Sequence, residues 1–424
     1  MNTTGDIREG FSLNDDGEWI PDGWTNSPLN QVVSDFIDYR GKTPKKTNSG
    51  IPLITAKVVK EGRVLQTEEF IDESEYEAWM RRGIPKEGDV ILTTEAPLGE
   101  VAFIPKGKIA LAQRIITLRG KTGKLDNGFL KYSLQSPLMQ YRLTARESGS
   151  TVSGIKSSEL KVTDLLHPED LNEQVAIASV LNSLDNKIEL LREQNQTLQA
   201  LAQSLFKRWF IDFNFPDENG NPYKDSGGKV IASELGEIPE GWKVGKLIEV
   251  CDIYDSRRIP LSKKQREQRK GKYPYYGATS IMDHVDDFLF EGVHLLLAED
   301  GSVIREDKTP FLQYVWGEFW VNNHAHVLSG KNGFSTEMLY LKFKKTNVSD
   351  LITGAVQLKI NQGNLMGSEL VIPPVDVESN FTRLSARIFE KIRINSEQIQ
   401  TLTQLRDTLL PKLMKGEIRV PVES

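Results

Sequence analysis

LNEQVAIASVLNSLDNKIELLREQNQTLQALAQSLFKRW, residues 171–209, is a long helical pattern. Ile177, Leu181, Leu184, Ile188, Leu191, Asn195, Leu198, Ala202, Leu205 and Trp209 alternate four and three apart. That spacing is a heptad seam, and such a seam needs a partner helix to bury it. NFTRLSARIFEKIRINSEQIQTLTQLRDTLLPKLMKG, residues 380–416, supplies one. Moving 204 residues on from Leu184 lands on Ile388, and the same step gives Ile392, Asn395, Ile399, Leu402, Arg406, Leu409 and Leu413. The second seam keeps the phase of the first and is flawed only at Arg406. Similar halves about a pseudo-two-fold axis pair their helices antiparallel, so partner numbers keep a constant sum. Setting Leu181 against Leu409 then pairs Ile177 with Leu413, Ile188 with Leu402, Leu191 with Ile399, Leu198 with Ile392 and Trp209 with Phe381. It also sets Asn195 opposite Asn395, where two seam amides can hydrogen-bond and fix the register. Pro411 is expected to bend the last turn of the second helix.

The repetition extends outside the helices. EWIPDGW, ending at Trp24, has a counterpart in GEIPEGW, ending at Trp242. EGDVILTTEAPLGEV (87–101) parallels EGVHLLLAEDGSVI (291–304), and AQRIITLRG, ending at Gly120, parallels NHAHVLSG, ending at Gly330. SGIKSSELKVTDLLHP, ending at Pro168, parallels QLKINQGNLMGSELVIPP, ending at Pro374. The order is the same in both halves, so the chain reads as a pseudo-dimer of two mixed α and β modules. Strands are expected at 89–94, 109–118 and 294–298, and a short helix at DESEYEAWMRR, capped by Asp72 with Arg81 and Arg82 in its last turn. Residues 214–230, rich in Gly, Asn, Asp and Pro, read as linker.

With 424 residues, 38% of them hydrophobic and 26% charged, the chain can bury two or three ordinary domain cores. No apolar run approaches the ~18 residues of a membrane span. The single cysteine, Cys251, excludes an internal disulfide framework and fits a reducing cytoplasm. The net charge of −6 is unevenly spread. Residues 31–160 carry +4 and 242–372 carry +1, whereas 1–30 carry −5 and 161–241 carry −7. The acid therefore lies outside the two modules, whose charge is compatible with a DNA surface.

Catalytic motifs are missing. RGKTP at Arg40 contains GKT, but a phosphate loop needs glycine where Phe36 stands. No dinucleotide fingerprint or methyltransferase motif occurs, and PDEN at Pro216 lies in the linker with no strand to hold it. His324 and His326, two apart on an expected strand, would share a face, but no further metal ligands accompany them. The densest charge cluster is RRIPLSKKQREQRKGKYPYYG, residues 257–277, with RGKTPKK at Arg40 as a weaker counterpart. Closely spaced cations displace counterions from DNA. Charge and hydrogen-bonding capacity together single out Lys42, Lys45, Lys46, Gln113 and Arg114 in the first module. In the second they single out Arg257, Arg258, Lys263, Lys264, Arg266, His324, His326 and Gln357. Arg and Gln suit bidentate base contacts, and Lys more often holds phosphate.

LFKRWFIDFNFPDENGNPYKDSGGKVIASELGEIPEGW, EGDVILTTEAPLGEV, GKYPYYGATSIMD and LLPKLMKGEIRV give the chain a likeness that covers nearly its whole length. It resembles the specificity subunit of Type I restriction–modification systems. The resemblance implies an α+β fold with two target recognition domains, 1–167 and 242–374. These alternate with two conserved helices, 168–213 and 375–424, that form an antiparallel coiled coil, with a linker at 214–241. It implies one half of a bipartite, asymmetric double-stranded DNA site per domain, with the helices acting as a ruler for the spacer. It also implies docking of two methyltransferase subunits and of restriction–translocase subunits, in the cytoplasm and without a membrane. The chain itself is then expected to hold no metal, no cofactor and no catalytic residue, with S-adenosylmethionine, ATP and Mg on the partner subunits. A ~40-residue helix is about 60 Å long, which caps the half-site separation at roughly 17 base pairs. Two other classes remain open from the residues: a spacer or adaptor that binds protein, and a freestanding nuclease or methyltransferase.

Overall fold

A computed structural model describes residues 10–13, 17, 19–41, 43–149, 153–354 and 357–421. The chain forms two compact units, Met1–Glu189 with Ile399–Ser424, and Leu190–Gln398. Two 40-residue helices, Leu171–Phe210 and Val375–Met414, each contribute to both units. The second begins directly after Pro374, with Asp376 and Glu378 in its first turn, where acids suit the positive end of the macrodipole. It continues as helix through Pro411 to Met414.

In the first unit, Ile177 and Leu181 share a core with Leu413, and Leu409 packs against it. In the second, Ala202 and Trp209 share a core with Ile392, Ile388 and Phe381, and the Trp209 and Phe381 rings meet edge-on at 5.4 Å. Rising numbers on one helix meet falling numbers on the other in both units, which makes the pair antiparallel. Asn395 Nδ2 donates to Asn195 Oδ1 at 2.9 Å within a buried layer of the second unit.

Around these helices each unit builds the same sheet. In the first, the antiparallel order is Leu98–Phe103, Val90–Thr94, Ile115–Gly120, Val33–Asp38. In the second it is Leu312–Val315, His294–Ala298, Ala325–Gly330, Cys251–Ile253. The central strands Val90–Thr94 and His294–Ala298 are buried along their whole length, as their near-continuous apolar sequences require. Side chains alternate across a strand, so Val90 and Leu92 face the core holding the long helices while Ile91 faces a second core. Leu295 and Leu297 divide from Leu296 in the same way. Each central sheet is thus packed on helix at one face and on an outer sheet at the other. Gly120 and Gly330, which end corresponding strands, have one physical cause. A Cβ on Gly120 would clash with the Leu125 carbonyl oxygen, and one on Gly330 with that of Phe334.

The outer sheets differ. The first unit has three short strands in the order Ala110–Leu111, Ile51–Ile54, Phe70–Ile71. The second has four, Ile281–Val285, Lys270–Tyr276, Glu318–Val321, Phe290–Glu291. The strand expected at 109–118 is therefore two strands in two sheets, broken where Arg114 takes φ of +72°. The helix expected at 72–82 is a 3-10 turn, Glu73–Glu75, and one α-turn, Tyr76–Trp79. Asp72 does cap the 3-10 turn, accepting from Ser74 N at 2.8 Å, but Arg82 lies beyond the helix and donates to the carbonyls of Asp38 and Arg40. The segment read as linker packs as part of the second unit, with Phe215 stacked on Tyr223 and against Trp242.

Candidate nucleic-acid interface

In the second unit the basic segment wraps the outer sheet. Ser262 opens the helix Lys263–Gln268 with a capping box, its Oγ accepting from Gln265 N while Gln265 Oε1 accepts from Ser262 N. The helix presents Lys263 and Lys264 to solvent, with the Lys263 side chain 85% exposed. Arg257 is also exposed; it donates to the Leu289 carbonyl and lies over the Phe290 ring.

Three of the sequence-derived candidates do other work. Arg258 is held in a half-buried network, with Nη1 2.6 Å from Glu299 and 2.7 Å from the Ala325 carbonyl, and Nη2 3.3 Å from Asp255. His326 is fully buried, Nδ1 on Asp255 and Nε2 on the Ile360 carbonyl at 2.7 Å. Arg266 folds back along its own helix to the Leu261 carbonyl and pairs with Asp283 at 3.4 Å over the Tyr275 ring. Internal carboxylates and carbonyls engage the side chains of all three. His324 and His326 do not share a face: His324 precedes the strand, is exposed and meets Asp300 at 2.6 Å. Asp255, Glu299 and His326 do bring ligand atoms within 4.8 Å of one another. Arg258 already bridges the two carboxylates there, and Lys359 adds a second cation at 2.9 Å from Glu299. Burial would raise the Glu299 titration, but Lys359 and Arg258 outweigh it and hold the carboxyl below its usual range.

Two of the remaining candidates, Arg114 and His324, fall at comparable places in the two units. Arg114 is exposed and pairs with Glu95 at 3.0 Å, just past a central strand; His324 on Asp300 stands at the matching end of the other sheet. Glu95 bridges to Gly154, and Asp300 to Lys359, so the exposed Gln357 lies on the segment that meets the His324 side. Gln113 is half-buried, Lys45 is exposed, and Lys46 is exposed but paired with Glu69 at 2.8 Å. Lys42 lies outside the described residues. The hairpin of the second outer sheet also exposes Ile281 and Met282, which a search by charge passes over. Their sequence signal is an apolar pair directly after the Gly-Ala-Thr-Ser turn.

The family description "Type I restriction modification DNA specificity domain" matches residues 21–200 and again 239–404. The chain belongs to that family. It is 31% identical over 363 residues to the Type I restriction enzyme MjaIX specificity subunit of Methanocaldococcus jannaschii, which covers 80% of this chain and 79% of that protein. It is 22% identical over 410 residues to the EcoprrI specificity subunit of Escherichia coli, covering 92% and 93%. Among solved structures, its fold is similar to that of a Type I system S subunit from M. genitalium. The TM-score is 0.57 at 17% identity, with 97% of this chain and 99% of that one covered. As a Type I specificity subunit the chain is a DNA-recognition protein, and the two family matches fall one on each half of the repeat. No helix among the described residues is long and apolar enough to cross a membrane.

Proposed function

We propose that this specificity subunit reads a bipartite, asymmetric DNA site, one half through each outer surface, and that the long helices set the distance between the halves. The observation that carries this reading is one scaffold bearing two different surfaces. The four-stranded central sheets have the same strand order, whereas one outer sheet has three strands and the other four with a basic helix beside it. A shared frame with different exposed chemistry suits two different half-sites.

The chain is then the non-catalytic part of a cytoplasmic complex, with S-adenosylmethionine, ATP and Mg held by methyltransferase and restriction–translocase partners. Support for two equivalent docking faces comes from the long helices. Leu190 and Leu201 are exposed, and 204 residues on so are Ile394 and Leu405. On a helix, residues 11 apart share a face. A matched apolar pair on each helix suits two copies of one partner. The reading is tested by sequencing modified bases in cells that express the chain with its methyltransferase partner. Methylation of a two-part asymmetric motif is expected. Methylation by the chain alone would make it an enzyme, and a complex without sequence preference would make it an adaptor.

A further inference from the structure

The hairpin Lys270–Tyr276/Ile281–Val285 is an edge of its sheet: among the described residues, Ile281–Val285 pairs with Lys270–Tyr276 alone. Its register breaks twice. Val285 is opposite both Lys270 and Tyr273, which places a bulge at Gly271 and Lys272, and a Cβ on Gly271 would clash with the Asp286 Cα. Tyr275 is opposite Asp283 but Tyr276 is opposite Ile281, so Met282 is the extra residue of a second bulge. A bulge re-aims side chains and cancels the alternation of a strand. Ile281 and Met282 consequently both face solvent, 46% and 52% exposed, beside exposed Thr279, Ser280 and His284. The turn is tight, with Gly277 N donating to the Ser280 carbonyl at 2.8 Å. A Cβ on Gly277 would lie 2.6 Å from Met282 Sδ, so glycine lets the methionine lie over the turn.

Exposed cations lie along the same segment. The basic helix is tied to the hairpin by the Arg266–Asp283 pair, and Lys263 and Lys264 point from it into solvent. Lys272 is exposed on the paired strand, over the Tyr273 ring. Apolar and hydroxyl groups on the edge hairpin of a sheet, with lysines on the same segment, match the chemistry of a DNA groove. The major groove admits a β-ribbon, thymine methyls accept apolar contact, base edges accept hydroxyls, and phosphates line both sides.

We propose that the 277–284 tip of this hairpin is the base-reading element of the second unit, with Thr279, Ser280, Ile281 and Met282 on base edges and Lys264 and Lys272 on flanking phosphates. The inference rests on the DNA-reading function above and adds which element does the reading. Selection from a pool of random-sequence duplexes tests it, using the full chain with its methyltransferase partner. The wild-type complex is expected to enrich two defined half-sites. The double variant Ile281→Ala/Met282→Ala, and separately Thr279→Ala, is expected to relax base preference in one half-site and leave the other unchanged, which also shows that the variant is folded. Lys264→Ala and Lys272→Ala are expected to weaken binding to all sequences alike, each lowering the slope of log affinity against log salt by about 0.9. If the wild type enriches two half-sites and the tip variants enrich the same two with equal affinity, the hairpin is not the reader. Tip variants that keep both half-sites but lose the methyltransferase subunit would make the tip a protein contact, which also overturns the assignment. Enrichment of no motif by the wild type would remove the DNA-reading function itself.

Discussion

Arg406 occupies a seam position that calls for an apolar side chain, and its guanidinium instead reaches Asp185 at 3.0 Å. Asp185 is also held by Lys131 at 2.7 Å and Tyr132 at 2.8 Å, so the seam defect is one corner of a network that ties the helix Asn127–Gln135 to both long helices of the first unit. Burial would raise the Asp185 titration, but Lys131, Tyr132 and Arg406 prevail and hold it below the usual carboxylate range. The corresponding position in the second unit, 204 residues on, is Phe389, packed on Tyr314 and Tyr340. Arg406→Ala is expected to destabilise the first unit by about 2–4 kcal/mol at pH 7, between the values of exposed and fully buried pairs. Denaturant melts of the wild type and the variant measure it. Because the folded titration of Asp185 is depressed, its ion-pair contribution is present above its unfolded value of about 3.9 and is lost as pH falls through the folded value. The difference between the two proteins should therefore shrink in acid. A difference that stays constant to the lowest pH at which both fold would mean that Arg406 acts by packing alone. A heptad scan marks Arg406 as a flaw because its partner is 221 residues away. For the same reason a count of basic residues cannot separate Lys264, which faces solvent, from Arg258, whose partners Glu299 and Ala325 are distant in sequence.

Among the elements, the layer formed by Asn195 and Asn395 does most to define the register of the helix pair. Asn195 Nδ2 also donates to Ser396 Oγ at 3.1 Å, while Asn395 Oδ1 is buried with no hydrogen-bond partner. An unpaired buried amide oxygen lowers stability, and a polar seam layer excludes registers that would strand the other amide. Replacing both residues, Asn195→Leu with Asn395→Leu, should raise unfolding free energy by about 1–3 kcal/mol and weaken the preference for a single register. Denaturant melts read the first effect. A less stable double variant would show that the layer contributes net stability as well as register. The long helices were legible in sequence because a period sustained over ten seam positions from Ile177 to Trp209 averages out local exceptions. Short elements lack that redundancy. One residue at positive φ, Arg114, splits what reads as a continuous strand into pieces of two different sheets. The bulge at Met282 leaves no mark in composition, because bulging depends on the partner strand's register.

Across the whole molecule the duplication is the organising fact. Corresponding strands occupy corresponding places in two sheets of one topology, and even the glycines ending two of those strands share a cause. That much was legible from the order of weakly similar segments. The outer sheets were not, since their short strands carry the sequence differences that give each unit its own surface. If the two surfaces read two half-sites, the helices between them are part of the specificity, and their length is a quantity that can be changed. Removing residues 188–194 from the first helix and the facing 396–402 from the second deletes one heptad from each. It spares both the Asn195–Asn395 layer and the Asp185–Arg406 pair. One heptad spans about 10 Å of helix, or about three base pairs of DNA. Methylation mapping of this variant with its partner should return both half-sites unchanged and a spacer shorter by about three base pairs. The same half-sites at an unchanged spacing would contradict the ruler.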